Sequence, residues 1–378
     1  MPNKMICLVT WTGGANYGTI LQAHALAEYI NEQGYNVNIL KSANSWQYYF
    51  LHFSALCDRI KRKIERRKSA SVEETNDEAF VDNLARIFDE FRNKYFKYLE
   101  LRTFEDLHNV SKKYKTFIVG SDQVWNPYHY HPIDFLDFVN SKKAKKVSYS
   151  PSIGVTEIPT NLRMKYKHYL RDYSAIGVRE YDAALALKEL SPVEVTVNVD
   201  PVLLLNSEKW RIISENYPNI AIKDLKYVLC YFVGKNKQYL KFVSAVSKRM
   251  GYKILLIPMH KTDYNYQSDS ITVLDNVNPN NFLALIECAD YVVTDSFHAS
   301  CFSIIFKKEF YVLKRFSDSD PQSENSKINN LLKWLKLDDR LVDSGKEINY
   351  NHKIDYSKVY KLLEKRINSS KEFIKRSL

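Results

Sequence analysis

Along most of the chain, short apolar runs alternate with amphipathic stretches and polar or glycine-bearing turns. Met5–Trp11 (MICLVTW) is an apolar run of strand length, and Thr12–Gly18 (TGGANYG) is a turn. Thr19–Gln33 then carries apolar residues at helical spacing until Gly34 stops it, and Asn36–Leu40 reads as a second strand. This βαβ opening predicts a doubly wound sheet. Ser45–Leu101 reads as mostly helical, with a polar break at Ser69–Asn76, and is expected to be an insertion outside the sheet. Strands resume at Thr116–Val119, Lys146–Ser150, Ala175–Val178 and Thr196–Val199. A second alternation follows Asn206–Asp224, a linker with a short helix. Its strands are expected at Tyr227–Val233, Lys253–Ile257, Ile271–Leu274, Tyr291–Thr294 and Phe310–Leu313. Its helices are expected at Gln238–Met250, Asn281–Cys288, after Ser296 and at Ser326–Leu335. A basic amphipathic helix, Tyr356–Arg376, ends the chain.

With 378 residues the chain exceeds one ordinary core. The expectation is two Rossmann-like α/β domains facing across a cleft, residues 1–205 and 206–350, followed by a C-terminal helix in 351–378. In such folds ligands bind beyond the carboxyl ends of the strands, so the turns after the strands are where chemistry is expected. In TDSFHASCFSIIF, His298 follows a buried strand and opens an apolar helix, with Asp295 and Ser296 as N-cap candidates. Asp295 can either cap that helix or orient the His298 ring. Arg179 directly follows a buried strand, where a guanidinium suits phosphate or carboxylate, or else an ion pair with Glu180 or Asp182. In GSDQVWNP, Asp122 can accept from a hydroxyl, and Trp125 and Asn126 can face a sugar; the alternative is an Asx turn with a packing tryptophan. Asn16 and Tyr17 open the first helix, as a ligand-holding turn or as an ordinary tight connection.

Composition narrows the function classes. The first loop is neither GxGxxG nor a P-loop, there is no GxSxG elbow, and no histidine pair stands at metal-ligand spacing. A metal-free site is therefore expected. The five cysteines, Cys7, Cys57, Cys230, Cys288 and Cys301, form no CxxC pair and fit a reduced, cytoplasmic protein. No apolar run is long enough to span a bilayer. The net charge of +11, concentrated partly in Arg59–Lys68 and the final helix, suits anionic lipid heads or phosphorylated substrates. No nucleic-acid-binding signature accompanies it.

Taken in order, NYGTILQAHAL, GSDQVWNP, SYSPSIG, GVRE, DPVLLL and DSFHASCFSIIFKKEF make the chain resemble the polysaccharide pyruvyl transferase family over roughly residues 5–340. The resemblance implies a fold similar to two-domain B-type glycosyltransferases. It also implies transfer of the enolpyruvyl unit of phosphoenolpyruvate to a sugar, as a ketal, with release of phosphate and no further cofactor. Acceptors in that family are bacterial surface glycans or their lipid-linked precursors, which implies an enzyme in the cytoplasm, near the inner membrane face. The resemblance makes His298 the catalytic histidine and Arg179 the donor-binding arginine. Asp122 is our candidate for handling an acceptor hydroxyl. Many members carry arginine two residues before the histidine. Here that position is Ser296, and Arg315 and Lys327 are the candidates for the missing cation. A nucleotide-sugar glycosyltransferase of the same fold is the alternative enzyme, and a basic membrane-docking scaffold the alternative non-enzyme.

Overall fold

In the computed structural model, the described residues are 4–41, 78–101, 104–218, 221–234, 238–316, 323–342 and 352–378. The basic run Arg59–Lys68, the polar break Ser69–Asn76 and Cys57 lie outside them.

The first half of the chain builds a seven-stranded parallel sheet. Its strands are β1 (Met5–Val9), β2 (Asn36–Lys41), β3 (Tyr98–Glu100), β4 (Thr116–Val119), β5 (Lys145–Tyr149), β6 (Ala175–Val178) and β7 (Val195–Val197), in the order β3-β2-β1-β4-β5-β6-β7. The second half builds a six-stranded parallel sheet from β8 (Tyr227–Tyr231), β9 (Lys253–Ile257), β10 (Ile271–Val273), β11 (Tyr291–Thr294), β12 (Glu309–Leu313) and β13 (Leu341–Val342). Its order, β10-β9-β8-β11-β12-β13, repeats the same winding, so each sheet reverses direction once: between β1 and β4, and between β8 and β11. The helices are α1 (Tyr17–Glu32), α2 (Glu78–Tyr95), α3 (Phe104–Lys113), α4 (Thr160–Leu170), α5 (Tyr181–Leu187), α6 (Ser207–Ile213), α7 (Gln238–Met250), α8 (Pro279–Cys288), α9 (Phe297–Ile305), α10 (Asn325–Leu335) and α11 (Tyr356–Ser377).

Residues 98–100 correct one expectation. They lie in the region read as an insertion, yet Tyr98 pairs with Ile39 and Leu99 with Leu40, which makes β3 the edge of the first sheet. Only two residues separate β3 from α2, so its residues read as the tail of a helical stretch. β13 is shorter still and was not expected at all.

One apolar core runs through both halves. It joins Ile6, Leu8 and Ile118 under the first sheet to Leu229, Val292 and Phe310 under the second. Tyr17, at the start of α1, sits at this seam. Its ring stacks on Phe282 of α8 at 4.4 Å, and its hydroxyl donates to Val277 O at 2.8 Å. The outer face of each sheet has its own core.

Helix α11 ties the halves a second time. At its start Tyr360 donates to Ile305 O (2.9 Å) of α9; near its end Ser370 Oγ accepts from Val199 N (2.9 Å) beyond β7. Phe373 packs there against the first sheet, beside Tyr149 and over Gly177, where a Cβ would lie 2.9 Å from the Phe373 ring. The apolar side of this helix is therefore buried against protein. Its Lys358, Lys361, Lys365 and Lys375 face outward. Among the described residues no helix is long and apolar enough to cross a membrane.

Replacing Phe373 with alanine empties this buried contact without touching the cleft. The expected cost is about 3–5 kcal/mol, read as a lower urea midpoint with both sheets unfolding together.

Candidate active site

The turns after β1, β4, β6, β8, β11 and β12 line a single cavity of about 150 Å³ at both reversal points. Its lining includes Trp11, Asn16, Thr19, Asp122, Gln123 and Arg179 from the first half, and Asp295, Ser296, His298, Arg315, Glu324 and Lys327 from the second.

The centre of the site is Asp200, a residue not singled out in the sequence although it opens DPVLLL. It caps the 3-10 turn Pro201–Leu204, its Oδ1 accepting from Val202 N at 3.1 Å. Its Oδ2 accepts from Arg179 Nη1 at 3.0 Å and from Ser121 Oγ at 3.3 Å. His298 Nε2 stands 3.4 Å from the same oxygen, close enough for an ion pair but without the alignment of a hydrogen bond. Asp200 is 1 % exposed. Burial alone would raise its carboxyl, but the charge and proximity of His298, then Arg179 and the Val202 N–H, outweigh burial and hold it well below the usual carboxylate range.

Arg179 is equally enclosed, at 2 % exposure. Its Nε donates to Glu180 Oε1 at 2.9 Å and its guanidinium lies 4.6 Å over the Phe297 ring, while Nη2 has no hydrogen-bond partner. Burial disfavours its charge. Glu180, Asp200 and Asp122 more than compensate and push its pKa above the ordinary arginine value. The ion pair with Glu180 thus forms, the pair with Asp182 does not, and one guanidinium nitrogen is left over.

His298 begins α9, as expected, but its neighbours differ from the sequence reading. Its ring lies on the first turn of α1: a Cβ at Gly18 would be 2.0 Å from His298 Nδ1. The glycine of NYG therefore admits the histidine of the other half rather than a ligand. Asp295 does not orient the ring. Its two oxygens accept from Val233 N (2.7 Å) and Gly234 N (2.8 Å), which pins the β8 turn to β11. Burial raises its carboxyl despite those bonds and Arg315. Ser296 is the N-cap, its Oγ accepting from Ala299 N at 3.4 Å, and so adds no charge at the cavity.

The remaining candidates divide. Asp122, in the left-handed region at φ 61°, accepts from Thr19 Oγ1 at 2.6 Å and faces the cavity. Asn16 lines the cavity while its side chain caps α1 by accepting from Thr19 N. Arg315 and Lys327 both line it, and both contact Glu324, Lys327 Nζ at 2.8 Å. Burial would raise the Glu324 carboxyl, but Lys327, Arg315 and Gln123 bring it down to about 2. Three residues are withdrawn from the ligand-facing roles expected of them. Trp125 is fully buried, stacked on Phe135 at 5.2 Å with its N–H on Asp134 O. Asn126 folds into an Asx turn with Tyr128 N. Tyr17 serves the seam between the halves. The tryptophan that does line the cavity is Trp11, whose Nε1 donates to the buried Asp134 at 3.4 Å. Its place just past β1 was readable; its exposure depended on which turn packed beneath it.

A model of the polysaccharide pyruvyl transferase family matches residues 16–315, from one cavity residue, Asn16, to another, Arg315. The chain belongs to that family. No curated protein sequence matches it. Among solved structures, this pyruvyl transferase family member is similar to a glycosyltransferase from Rickettsia africae, with TM-score 0.51 and 12% identity over 99% of this chain and all (100%) of that one. It is also similar to a putative UDP-N-acetylglucosamine 2-epimerase from Listeria monocytogenes, with TM-score 0.50 and 10% identity over 100% of this chain and 91% of that one. A third is Staphylococcus aureus MnaA with UDP, at TM-score 0.50 and 11% identity over 99% and 90%. At these identities the likeness establishes the fold alone, that of the B-type glycosyltransferases. Among the described residues, no group of three or more His, Cys, Asp or Glu is placed to hold a metal ion.

Two outcomes test this geometry. Gly18→Ala places a methyl 2.0 Å from His298 Nδ1 and 2.8 Å from its Cβ, a clash that outweighs the roughly 1 kcal/mol by which alanine favours a helix. That overpacking typically costs about 1–3 kcal/mol, so the melting temperature should fall and the His298 ring signals should shift in histidine NMR. The second concerns Asp134, whose carboxyl burial raises to about 7 against its bonds from His131 and Trp11. A folded-state pKa above the ordinary value means stability that is full below about pH 4 and is lost as pH rises through about 7. Asp134→Asn should flatten that slope in urea unfolding across pH 4–8 and be the more stable form at pH 8, by a few kcal/mol at about 1.4 kcal/mol per pK unit.

Proposed function

We propose that this chain transfers the enolpyruvyl group of phosphoenolpyruvate to two hydroxyls of a sugar in a bacterial surface glycan or its lipid-linked precursor. The observation that carries this reading is the Arg179–Asp200–His298 cluster at the cavity wall, with Arg179 Nη2 left without a partner. A donor with a carboxylate and a phosphate needs a fixed guanidinium, and its methylene carbon needs a proton. Arg179 supplies the first, braced on its other nitrogens by Glu180 and Asp200. His298 in imidazolium form supplies the second, its charge balanced by the Asp200 carboxylate. General acid help of this kind contributes about 10²–10⁴-fold.

Atoms balance as follows. Two bonds form between C2 of the donor and the sugar oxygens, and the bond from C2 to the phosphate oxygen breaks. Of the two hydroxyl protons, one is matched by the proton that makes the donor's CH2 a methyl group, and the other leaves with phosphate. Asp122 already accepts from Thr19 Oγ1, so it is oriented to accept from an acceptor hydroxyl as well. Trp11 takes over the aromatic role that Trp125 was expected to play. The cation that Ser296 does not supply is found in Arg315 and Lys327, and a phosphate arriving there would replace Glu324 between them.

The test is acceptor-dependent phosphate release from phosphoenolpyruvate with a panel of lipid-linked and polymeric bacterial glycans. Release should fall about 10²–10⁴-fold in His298→Ala, with the KM for phosphoenolpyruvate raised in Arg179→Lys, which cannot reproduce the guanidinium fork. No release with any acceptor, together with saturable binding of a nucleotide sugar in the cleft, would overturn the proposal in favour of a glycosyltransferase.

A further inference from the structure

A second cavity, of about 490 Å³, lies at the opposite edge of the first sheet, under the amino end of β5. It is far from the cleft: β5 rises about 3.3 Å per residue, so its two ends alone are roughly 13 Å apart. Lys146 lines the cavity. This side chain is only 4 % exposed, yet it makes no hydrogen bond and no ion pair with any described residue. Its backbone is fixed, with Lys146 O accepting from Ser174 N at 2.8 Å and the residue in register with Phe117 of β4. Lysine is almost never this buried without a counter-charge in contact.

The surrounding charges do not fill that gap. Asp172 is engaged by Arg171 Nε at 3.3 Å, and Asp137 has an interaction of its own. Arg171 also holds His168 Nδ1 at 3.0 Å, and Lys142 stands exposed at the rim. Lys142, Lys146 and Arg171 thus outnumber the two carboxylates of the lining by one positive charge. Burial lowers the Lys146 pKa, with Asp172 and Asp137 opposing the shift and Arg171 adding to it, as expected of an ammonium lacking a contacting anion. The volume is far larger than a bare anion needs, and Asp137, Asn140, Ser141 and Asp172 present groups that pair with hydroxyls.

We propose that this cavity is a second ligand site, which takes a phosphorylated polyol with its phosphoryl group on Lys146 and its hydroxyls on the surrounding carboxylates and amide. The phosphoryl group could come from a soluble sugar or glycerol phosphate, or from a glycerophospholipid headgroup. Electrostatics favours such a ligand over a neutral sugar, because an anion meets the ammonium's charge and a neutral hydroxyl does not.

The test titrates the full chain calorimetrically with glycerol 3-phosphate and glucose 6-phosphate, and in parallel sediments it with phosphatidylcholine vesicles with or without phosphatidylglycerol. Binding of a soluble ester, or of the phosphatidylglycerol vesicles alone, supports the site and identifies its source. In Lys146→Met, which keeps the length of the side chain and removes its charge, that binding should weaken about 10–100-fold. A second measurement needs no variant. Acetylation of wild-type Lys146 at neutral pH, read by peptide mass spectrometry, should be slowed by the ligand that binds, while exposed Lys143 is unaffected. Binding unchanged in Lys146→Met, acetylation of Lys146 unprotected by the bound ligand, or no binding of either kind would each overturn the proposal. None of these readouts involves the cleft chemistry, so the two proposals stand or fall separately.

Discussion

A carboxylate removed from water must be met by cations and donors, or it does not stay ionised. Asp200 is such a group, and meeting its needs organises the cleft. Ser121 comes from the turn after β4, Arg179 from the turn after β6, Val202 N from its own 3-10 turn and His298 from the far half of the chain. Four separated stretches, GSDQ, GVRE, DPVL and DSFH, are thereby gathered around one oxygen pair. Arg179 is the second beneficiary. A fully buried guanidinium is tolerable here because Glu180 and Asp200 flank it and Phe297 covers its face. Removing Asp200 would strand both Arg179 and His298, so the cluster is an interdependent unit rather than a set of additive contacts.

The rest of the cavity follows the same logic of neutralised charge. Glu324 lies between Arg315 and Lys327, and Asp295 is satisfied by two backbone amides. The first arrangement sets two cations on one carboxylate at the cavity wall. The second only holds the scaffold.

The alternation of strands and helices was legible because parallel strands buried on both faces read as continuous apolar runs, and those runs are long enough in β1, β4, β8 and β11. β3, separated from α2 by two residues, and β13, only two residues long, were not. The location of His298 was legible for the same reason, from the strand before it and the cap beside it. Its partner was not. Choosing between Asp295 and Asp200 requires knowing that the β8 turn lies alongside β11, where its amides claim Asp295, and that α1 brings Gly18 under the ring. Both are contacts between distant segments. Trp125 was expected at the ligand, and Trp11 was not singled out. Each follows a strand, and only the packing of Phe135 and Asp134 around Trp125 separates a core ring from an exposed one. Local pattern gives the edge on which a residue lies, and tertiary packing decides which way it turns.

The seating of His298 on Gly18 has a consequence for how the molecule must move. The histidine belongs to one half of the chain, and both its carboxylate and the glycine beneath it belong to the other. Any motion that widens the cleft by lifting the halves apart separates the imidazole from Asp200, while α11, anchored to α9 and to the stretch after β7, limits how far they can part. The His298–Asp200 pair is therefore split between the two halves of the chain. The pair exists only while the halves stay together: parted, the imidazole loses its carboxylate and Asp200 keeps a buried charge with one neighbour fewer to meet it.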